Sequence, residues 1–194
     1  MGRLRFSTIC SLDGYTVDTD GSFAWAAPDP ELHDAVNEEE RPVGTYLYGR
    51  RMYETMRFWE APDLAGAGAV ERSYAEIWQA ADKIVYSRTL TTVTTARTRL
   101  EPAFDPAAVR ALVDAAPTDV SIGGPTIAAH AFAAGIVDTV DLYVHPISVG
   151  GGLPALPLGM RVELSLVRER RFASGVVHLG YAVRRPDTPR PAGA

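Results

Sequence analysis

Three short segments carry groups that could hold an anion. They are Tyr48-Gly49-Arg50-Arg51, Ser87-Arg88-Thr89 and Gly123-Gly124-Pro125-Thr126. Glycine lets a ligand approach the backbone closely, and a helix start offers unpaired N–H groups to negative charge. Arginine adds a planar fork that matches phosphate geometry. Any one segment alone reads as an ordinary turn, and Arg50 and Arg51 alone as helix-surface charges. Together they suggest a cradle for the phosphates of a dinucleotide. It is not the common fingerprint, because no G-x-G-x-x-G follows a strand. Gly150-Gly151-Gly152 follows Pro146 in a loop rather than opening a helix.

The elements that must position these segments can be read from pattern. Residues 3–11 read as a buried strand, and residues 12–28 as a loop. Pro30 opens a helix that continues from Glu31 to Arg41. A strand over 43–48 stops at Gly49, and a helix follows from about Arg51 to Phe58. Residues 61–70 read as an Ala/Gly/Pro-rich loop. Val70, Tyr74, Ile77 and Trp78 share one face of a helix over 70–80. Lys83 to Tyr86 is a short strand, with a further strand at 94–100. Asp105-Pro106 caps a helix to about Ala116. Val120 to Ile122 is a strand, and Pro125 to Ala134 a helix stopped by Gly135. Thr139 to His145 is a strand. Residues 162–171 and 176–184 form a hairpin through Ala173-Ser174-Gly175. This order predicts an α/β sandwich. Its sheet is mostly parallel, with helices on both faces and an antiparallel edge at the C-terminus. In such sheets ligands sit at the carboxyl ends of strands, where all three segments fall.

Composition narrows the function classes. The chain has 194 residues, a net charge of −5 and one cysteine. That size suits one domain, expected over 1–185, with a disordered Pro-rich tail over 186–194. The acidic balance and scattered basic residues argue against a nucleic-acid partner. A lone Cys10 gives no disulfide framework and no zinc cluster. His33, His130, His145 and His178 lack metal-ligand spacing, so each reads as a surface or packed residue. Asp18-x-Asp20-Gly21 hints at a calcium loop, but position 27 is Ala where an acidic ligand is needed. No metal is expected. No apolar stretch reaches the ~18 residues that span a bilayer. No signal-peptide core follows Arg3 and Arg5, so the expected location is cytoplasmic.

The order and spacing of five motifs resemble the dihydrofolate-reductase-like superfamily. Leu47-Tyr-Gly-Arg-Arg-Met-Tyr-Glu54 is similar to its Gly-Arg-x-Thr segment, and Lys83 to Leu90 to its second cofactor strand. Ser121-Ile-Gly-Gly124 is similar to its Gly-Gly turn. Ser11-Leu-Asp-Gly14, and Asp141 to Pro146 followed by Val149 to Gly152, are more particular. They resemble the reductase domain of bacterial riboflavin-pathway deaminase-reductases, over residues 3 to 184. Nothing here resembles the zinc deaminase half, which needs an H-x-E with a P-C-x-x-C.

The resemblance implies a three-layer dihydrofolate-reductase-like sandwich and an NADPH-dependent reductase of a small-molecule substrate. It implies a cofactor site from Gly49, Arg50, Arg51, Ser87, Arg88, Gly123, Gly124, Pro125 and Thr126. Met52 stands where the family often has a threonine, which removes one hydrogen bond to the cofactor. Residues 13–27 would be a loop over the nicotinamide, with Trp25 near its end; Trp25 packing on the core is an equal reading. Asp29 or Glu31 matches the family carboxylate at the start of the first helix. Either could instead be an acid that complements the helix dipole. The nearest named activity is reduction of 5-amino-6-(5-phosphoribosylamino)uracil. The alternatives are a pterin-type imine reductase and a nucleotide-binding module without turnover. The two C-terminal strands would pair in a homodimer, because an open strand edge is a liability.

Overall fold

A computed structural model describes residues 2–61 and 66–185. Among the described residues the eight expected strands and five α-helices follow the expected order, and two short strands are added. They are β1 (Leu4–Ser11), β2 (Tyr15–Val17), α1 (Pro30–Glu40), β3 (Val43–Gly49), α2 (Arg50–Met56), α3 (Ala69–Ala80) and β4 (Asp82–Tyr86). Then follow β5 (Thr98–Glu101), α4 (Pro106–Ala115), β6 (Asp119–Gly123), α5 (Pro125–Ala133) and β7 (Thr139–His145). The chain closes with β8 (Leu153–Pro154), β9 (Leu164–Arg171) and β10 (Val177–Val183). The expected tail, 186–194, and part of the expected 61–70 loop lie outside the described residues.

The main sheet runs β5-β4-β3-β6-β1-β7-β10-β9. Its first six strands are mutually parallel. β10 is antiparallel to both β7 and β9, which makes the predicted C-terminal edge. The chain moves one way along the sheet from β1 to β5, then returns to insert β6 between β3 and β1. Crossovers between parallel strands are right-handed, so reversing direction switches the face that the helices cover. The cores divide that way. Val109, Val113, Ile127 and Phe132 of α4 and α5 pack on Leu4, Phe6, Leu47 and Ile122. The opposite face packs Tyr53, Tyr74 and Trp78 of α2 and α3 on Tyr46, Tyr48 and Val85. Leu47 faces one core and its neighbours Tyr46 and Tyr48 the other, as strand alternation requires.

The Asp105 cap forms as the sequence predicts, and Asp29 caps α1 in the same way. Asp29 and Asp105 each accept a backbone N–H at the helix start, from Leu32 at 2.9 Å and Ala107 at 2.9 Å, with a proline at the first helical position. Two details differ from expectation. Residues 12–28 are not all loop, because β2 pairs with β8 in a small two-stranded ribbon. The strand near 94–100 is shorter and later, at Thr98–Glu101. Both ribbon strands are too short for periodicity to reveal.

One charged cluster crosses the sheet beneath α1. Arg5 on β1 lies 3.7 Å from Asp141 on β7 and 3.5 Å from Glu39 on α1. His178 on β10 sits 2.9 Å from the Asp141 carboxylate, and Arg168 on β9 reaches it at 3.3 Å. Burial alone would raise the Asp141 pKa. The His178 hydrogen bond and the Arg5 and Arg168 charges outweigh it and hold the carboxyl below its usual range. Removing one partner of such a buried cluster strands the others. Asp141→Asn should therefore destabilise the fold by about 3 kcal/mol. That lowers Tm by roughly 6–12 °C, read by thermal denaturation at neutral pH. Because the folded pKa is depressed, the contribution is present above pH ~4 and fades as pH falls below it. Arg3→Ala, on an exposed bridge to Asp119, should cost under about 1 kcal/mol.

Candidate active site

Strand register sets the geometry of the sheet edge. Tyr48 lies opposite Gly123, and Gly49 opposite Tyr86. The ends of β4, β3 and β6 are therefore side by side, and the three glycine- and arginine-bearing segments meet there. Phe6 pairs with Ile122, but β1 continues to Ser11, which pairs with His145 of β7. β1 and β7 thus project four residues past the end of β6, or about 13 Å at ~3.3 Å per residue.

At the lower level, Gly49 caps α2 and Gly124 caps α5, the latter with φ 97°, which favours glycine. A Cβ on Gly123 would lie 2.6 Å from the Tyr48 ring. Tyr48 cannot yield easily, since Trp78 donates to its hydroxyl at 3.1 Å in the buried core. Met52 packs under Gly124, so the position where the family often has a hydroxyl is used for packing. Arg50 is held between Glu54 (2.7 Å) and the Thr89 hydroxyl (3.2 Å), which ties the β3 and β4 ends together. Ser87 accepts from the backbone N–H groups of Thr89 and Leu90, fixing its own turn. Arg51, Arg88 and Thr126 are exposed. Among the described residues no carboxylate pairs with Arg51 or Arg88. Two uncommitted guanidiniums, fixed hydroxyls and the start of α5 form a donor set that fits an anionic phosphate.

At the upper level a cavity of about 280 Å³ opens beside the ends of β1 and β7. Asp29, His145 and Ser174 supply its polar groups, and Trp25, Leu32 and Val176 supply much of its apolar wall. Trp25 lies on a short 3-10 turn, Ala24–Ala26, and stands edge-on to the His145 ring at 5.8 Å. The Leu32 N–H, with help from the Ser174 hydroxyl, holds the Asp29 carboxyl below its usual range. Asp29 is therefore ionised at neutral pH. Burial pushes the His145 pKa down, only partly offset by Asp29, so the imidazole is neutral. Its Nε2 is shielded and has no hydrogen-bond partner. An unpaired buried nitrogen costs about 1–3 kcal/mol.

Of the carboxylates expected here, Asp29 lines the cavity. Glu31 does not: it turns outward, accepts from the Ala173 N–H at 3.1 Å and pairs with Arg170 at 3.4 Å. Ser174 and His145 were not anticipated. His145 reads in sequence as an ordinary packed histidine, although its place as the last residue of a parallel strand is the signal that marked the other segments. Asp13 was also missed as a positioning group. It accepts from the Ser148 hydroxyl and from the N–H groups of Val149 and Gly150, at 2.7–3.1 Å. It joins the Ser11–Gly14 turn to the Gly150–Gly152 loop. Hydrogen bonds from Ser11 and from that loop hold its carboxyl well below the usual range. Asp18 serves only its own turn, accepting from Asp20 and Ser22, and no group of metal-ligating side chains occurs among the described residues. Nor is any helix of the described residues long and apolar enough to cross a membrane.

Solved structures place this architecture. A putative riboflavin biosynthesis protein from Shewanella sp. PV-4 superposes with a TM-score of 0.71, at 18% identity, covering 95% of this chain and all of that one. A dihydrofolate reductase from Enterococcus faecalis, complexed with NADP(H), superposes at 0.62 with 14% identity over 96% of this chain and 98% of that one. A deaminase/5-amino-6-(5-phosphoribosylamino)uracil reductase from Thermotoga maritima gives 0.64 at 14% identity, over 94% of this chain and 57% of that longer one. The fold is therefore the dihydrofolate-reductase-like α/β sandwich. More particularly, residues 3–178 match the RibD C-terminal domain, and the chain belongs to that family. The uncharacterised protein YyaP of Bacillus subtilis is 26% identical over 187 residues, 92% of this chain and 94% of its own.

The glycine at the centre of the lower level tests the packing argument. Gly123→Ala should cost about 2 kcal/mol, since the buried Tyr48 ring, held by Trp78, would have to shift. Tm should fall by roughly 4–8 °C. Gly135→Asn, at φ 64° in open space, should cost less than half as much, because asparagine tolerates that conformation. Equal losses at the two positions would refute the packing account.

Proposed function

We propose that this protein is an NADPH-dependent reductase of a small planar heterocycle or sugar imine. One observation carries the reading. Arg51, Arg88 and the glycine turns collect at the ends of β3, β4 and β6, on the same sheet edge as the Asp29 cavity. Family membership supports the reductase class, and the activity in the name of the Thermotoga maritima relative is the nearest one. A pterin-type substrate is the second reading, favoured by a carboxylate at the start of α1 that faces the cavity.

When bound, NADPH supplies the hydride. The chain's own residues bind, orient and exclude water. Arg51 and Arg88 hold phosphate, with Ser87, Thr89 and the Gly124-Pro125 helix start beside them. Gly49 and Gly123 keep side chains out of the path. The ionised Asp29 orients the substrate ring and is not its proton donor. Trp25, Leu32 and Val176 give the cavity an apolar wall, which limits water on that side.

Cofactor choice follows from charge. A carboxylate at the ribose would repel a 2′-phosphate, whereas a guanidinium holds it with charge-assisted bonds. Such bonds contribute about 1.5–3 kcal/mol each, or roughly tenfold to a hundredfold in affinity. NADPH should bind at least ~10-fold more tightly than NADH. Arg51→Ala or Arg88→Ala should narrow that gap, chiefly by weakening NADPH. Arg50→Ala should matter less, because Glu54 already engages it. Titration of both cofactors against the three variants reads this directly. Equal affinities in the wild type sink the phosphate assignment. NADPH binding without consumption across a substrate panel favours a binding module instead.

The same reading includes a homodimer through the β9 edge. Among the described residues β9 pairs on one side only, and Leu166 and Val167 are exposed on it at 50% and 66%. Light scattering should give twice 20.9 kDa at micromolar concentration. A monomer there ends this part of the proposal.

A further inference from the structure

We infer that Glu40, the last residue of α1, is a neutral carboxylic acid in the folded protein at neutral pH, so that α1 docks on the sheet through a proton that rising pH removes. The inference rests on neither the cofactor nor the substrate reading.

Charge balance gives the first reason. Glu40 is only 6% exposed. The cations near it are spent on other acids. Arg5 on β1 is shared by Glu39 at 3.5 Å, Asp141 at 3.7 Å and Asp119 at 3.9 Å. Arg168 on β9 serves Glu39 and Asp141, and Arg3 serves Asp119. His178 on β10 is taken by Asp141 at 2.9 Å. Three guanidiniums thus meet three carboxylates, and among the described residues no cation pairs with Glu40. Glu40 also sits at the negative end of the helix dipole, with no basic residue in the final turn. Ionised, it would be a buried charge without a partner, which is costly.

The inventory of hydrogen bonds gives the second. Asn37 lies one turn back on the same buried face of α1. Its Nδ2 donates to the Val70 carbonyl at 2.9 Å, which fixes the amide and leaves Oδ1 without a donor. Tyr46 Oη on β3 also lacks a partner, and the Glu40 carboxyl is the acceptor beside it. One neighbour needs a donor and the other an acceptor. A carboxylic acid offers both, whereas a carboxylate only accepts. The neutral form matches this pair and the ion does not.

The titration of the surroundings agrees. Burial pushes the Glu40 carboxyl up, and Asp141 and Glu39 push the same way. Arg5 and the Tyr46 hydroxyl offset this only in part. The other titratable groups facing it are the phenols of Tyr46 and Tyr48 on β3, Tyr74 on α3 and Tyr143 on β7. Burial raises all four, so they stay neutral. Because the folded pKa of Glu40 is raised, its contribution is complete below about 4.5, the ordinary value, and is lost as pH rises through the folded value. That is the reverse of Asp141. At its other end α1 carries Asp29 and Leu32 in the cavity wall, so this proton sets how firmly that wall is held.

Glu40→Gln copies the neutral acid, since its amide also donates and accepts. Thermal denaturation of both full chains from pH 5 to pH 8 tests the inference. His33 and His145 titrate alike in both, so the difference between the curves isolates position 40. The Tm gap should move in favour of the variant by at least ~3 °C between pH 5 and pH 7. Hydrogen exchange should localise the effect. The Arg41 amide donates to the Asn37 carbonyl at 3.0 Å. Over the same range its protection should fall about tenfold in the wild type relative to the variant. A third measurement needs no variant. In ¹³C spectra of the wild type, the Glu40 carboxyl should titrate well above the exposed glutamates. The inference is overturned if the two Tm curves run parallel, or if the variant loses ground as pH rises. It is equally overturned if the Glu40 carboxyl titrates with the exposed glutamates.

Discussion

The insertion of β6 between β3 and β1 governs the rest of the molecule. Without it, β1 and β3 would be neighbours and their following helices would cover one face. With it, adjacent strands send their chains to opposite faces: α1 follows β1 to one side, and α5 follows β6 to the other. A crevice opens where they part, and ligands of open α/β sheets sit there. The same insertion puts Gly123 against Tyr48, so the turn from β6 into α5 must be made of residues without side chains.

A parallel core of this kind still has to hold an antiparallel pair at one edge, and charge does part of that work. Asp141 joins β1, β9 and β10 through Arg5, Arg168 and His178. Buried ion pairs are poor sources of net stability compared with apolar packing. They are specific, though, because a slip of one residue would turn each charged side chain to the other face. The register of β10 matters to the cavity. The β9–β10 turn supplies Ser174 and Val176 to its wall, and Ser174 helps keep Asp29 ionised. A network between the sheet and α1 thus helps set the placement of groups in the cavity farther along the same face.

What the sequence revealed divides along the range of the interaction involved. Helix starts are local, so Pro30 and Asp105-Pro106 located two of them directly. The Ala173-Ser174-Gly175 hairpin was legible for the same reason. The three glycine- and arginine-bearing segments could be named, and their adjacency followed from fold class. The order that interposes β6 could not be read, because parallel pairing joins residues with no local signature. The β2–β8 ribbon was hidden by its brevity and by the 135-residue separation of Asp13 from Ser148. Between Asp29 and Glu31, helix dipole and spacing gave no preference. The N-cap position decides it, since an N-cap side chain must turn back over the first turn while the next acid faces outward. His145 was passed over because spacing tests for metals say nothing about a histidine that acts alone.

The two levels of this sheet edge carry opposite charge. The lower one gathers Arg51 and Arg88, and the upper one presents ionised Asp29 with Glu31 nearby. The ends of β1 and β7 project about 13 Å past the end of β6, further than the ~8 Å Debye length at physiological salt. Each end therefore acts on what lies against it and little on the other. An extended molecule with phosphate at one end and N–H donors at the other has one favourable orientation along the crevice. Reversing it would set anion against carboxylate and donor against guanidinium. Screening also makes the two ends separable in sequence. Residues at the cavity can change without disturbing the arginine-bearing level, because the fold couples the two by strand register and not by charge.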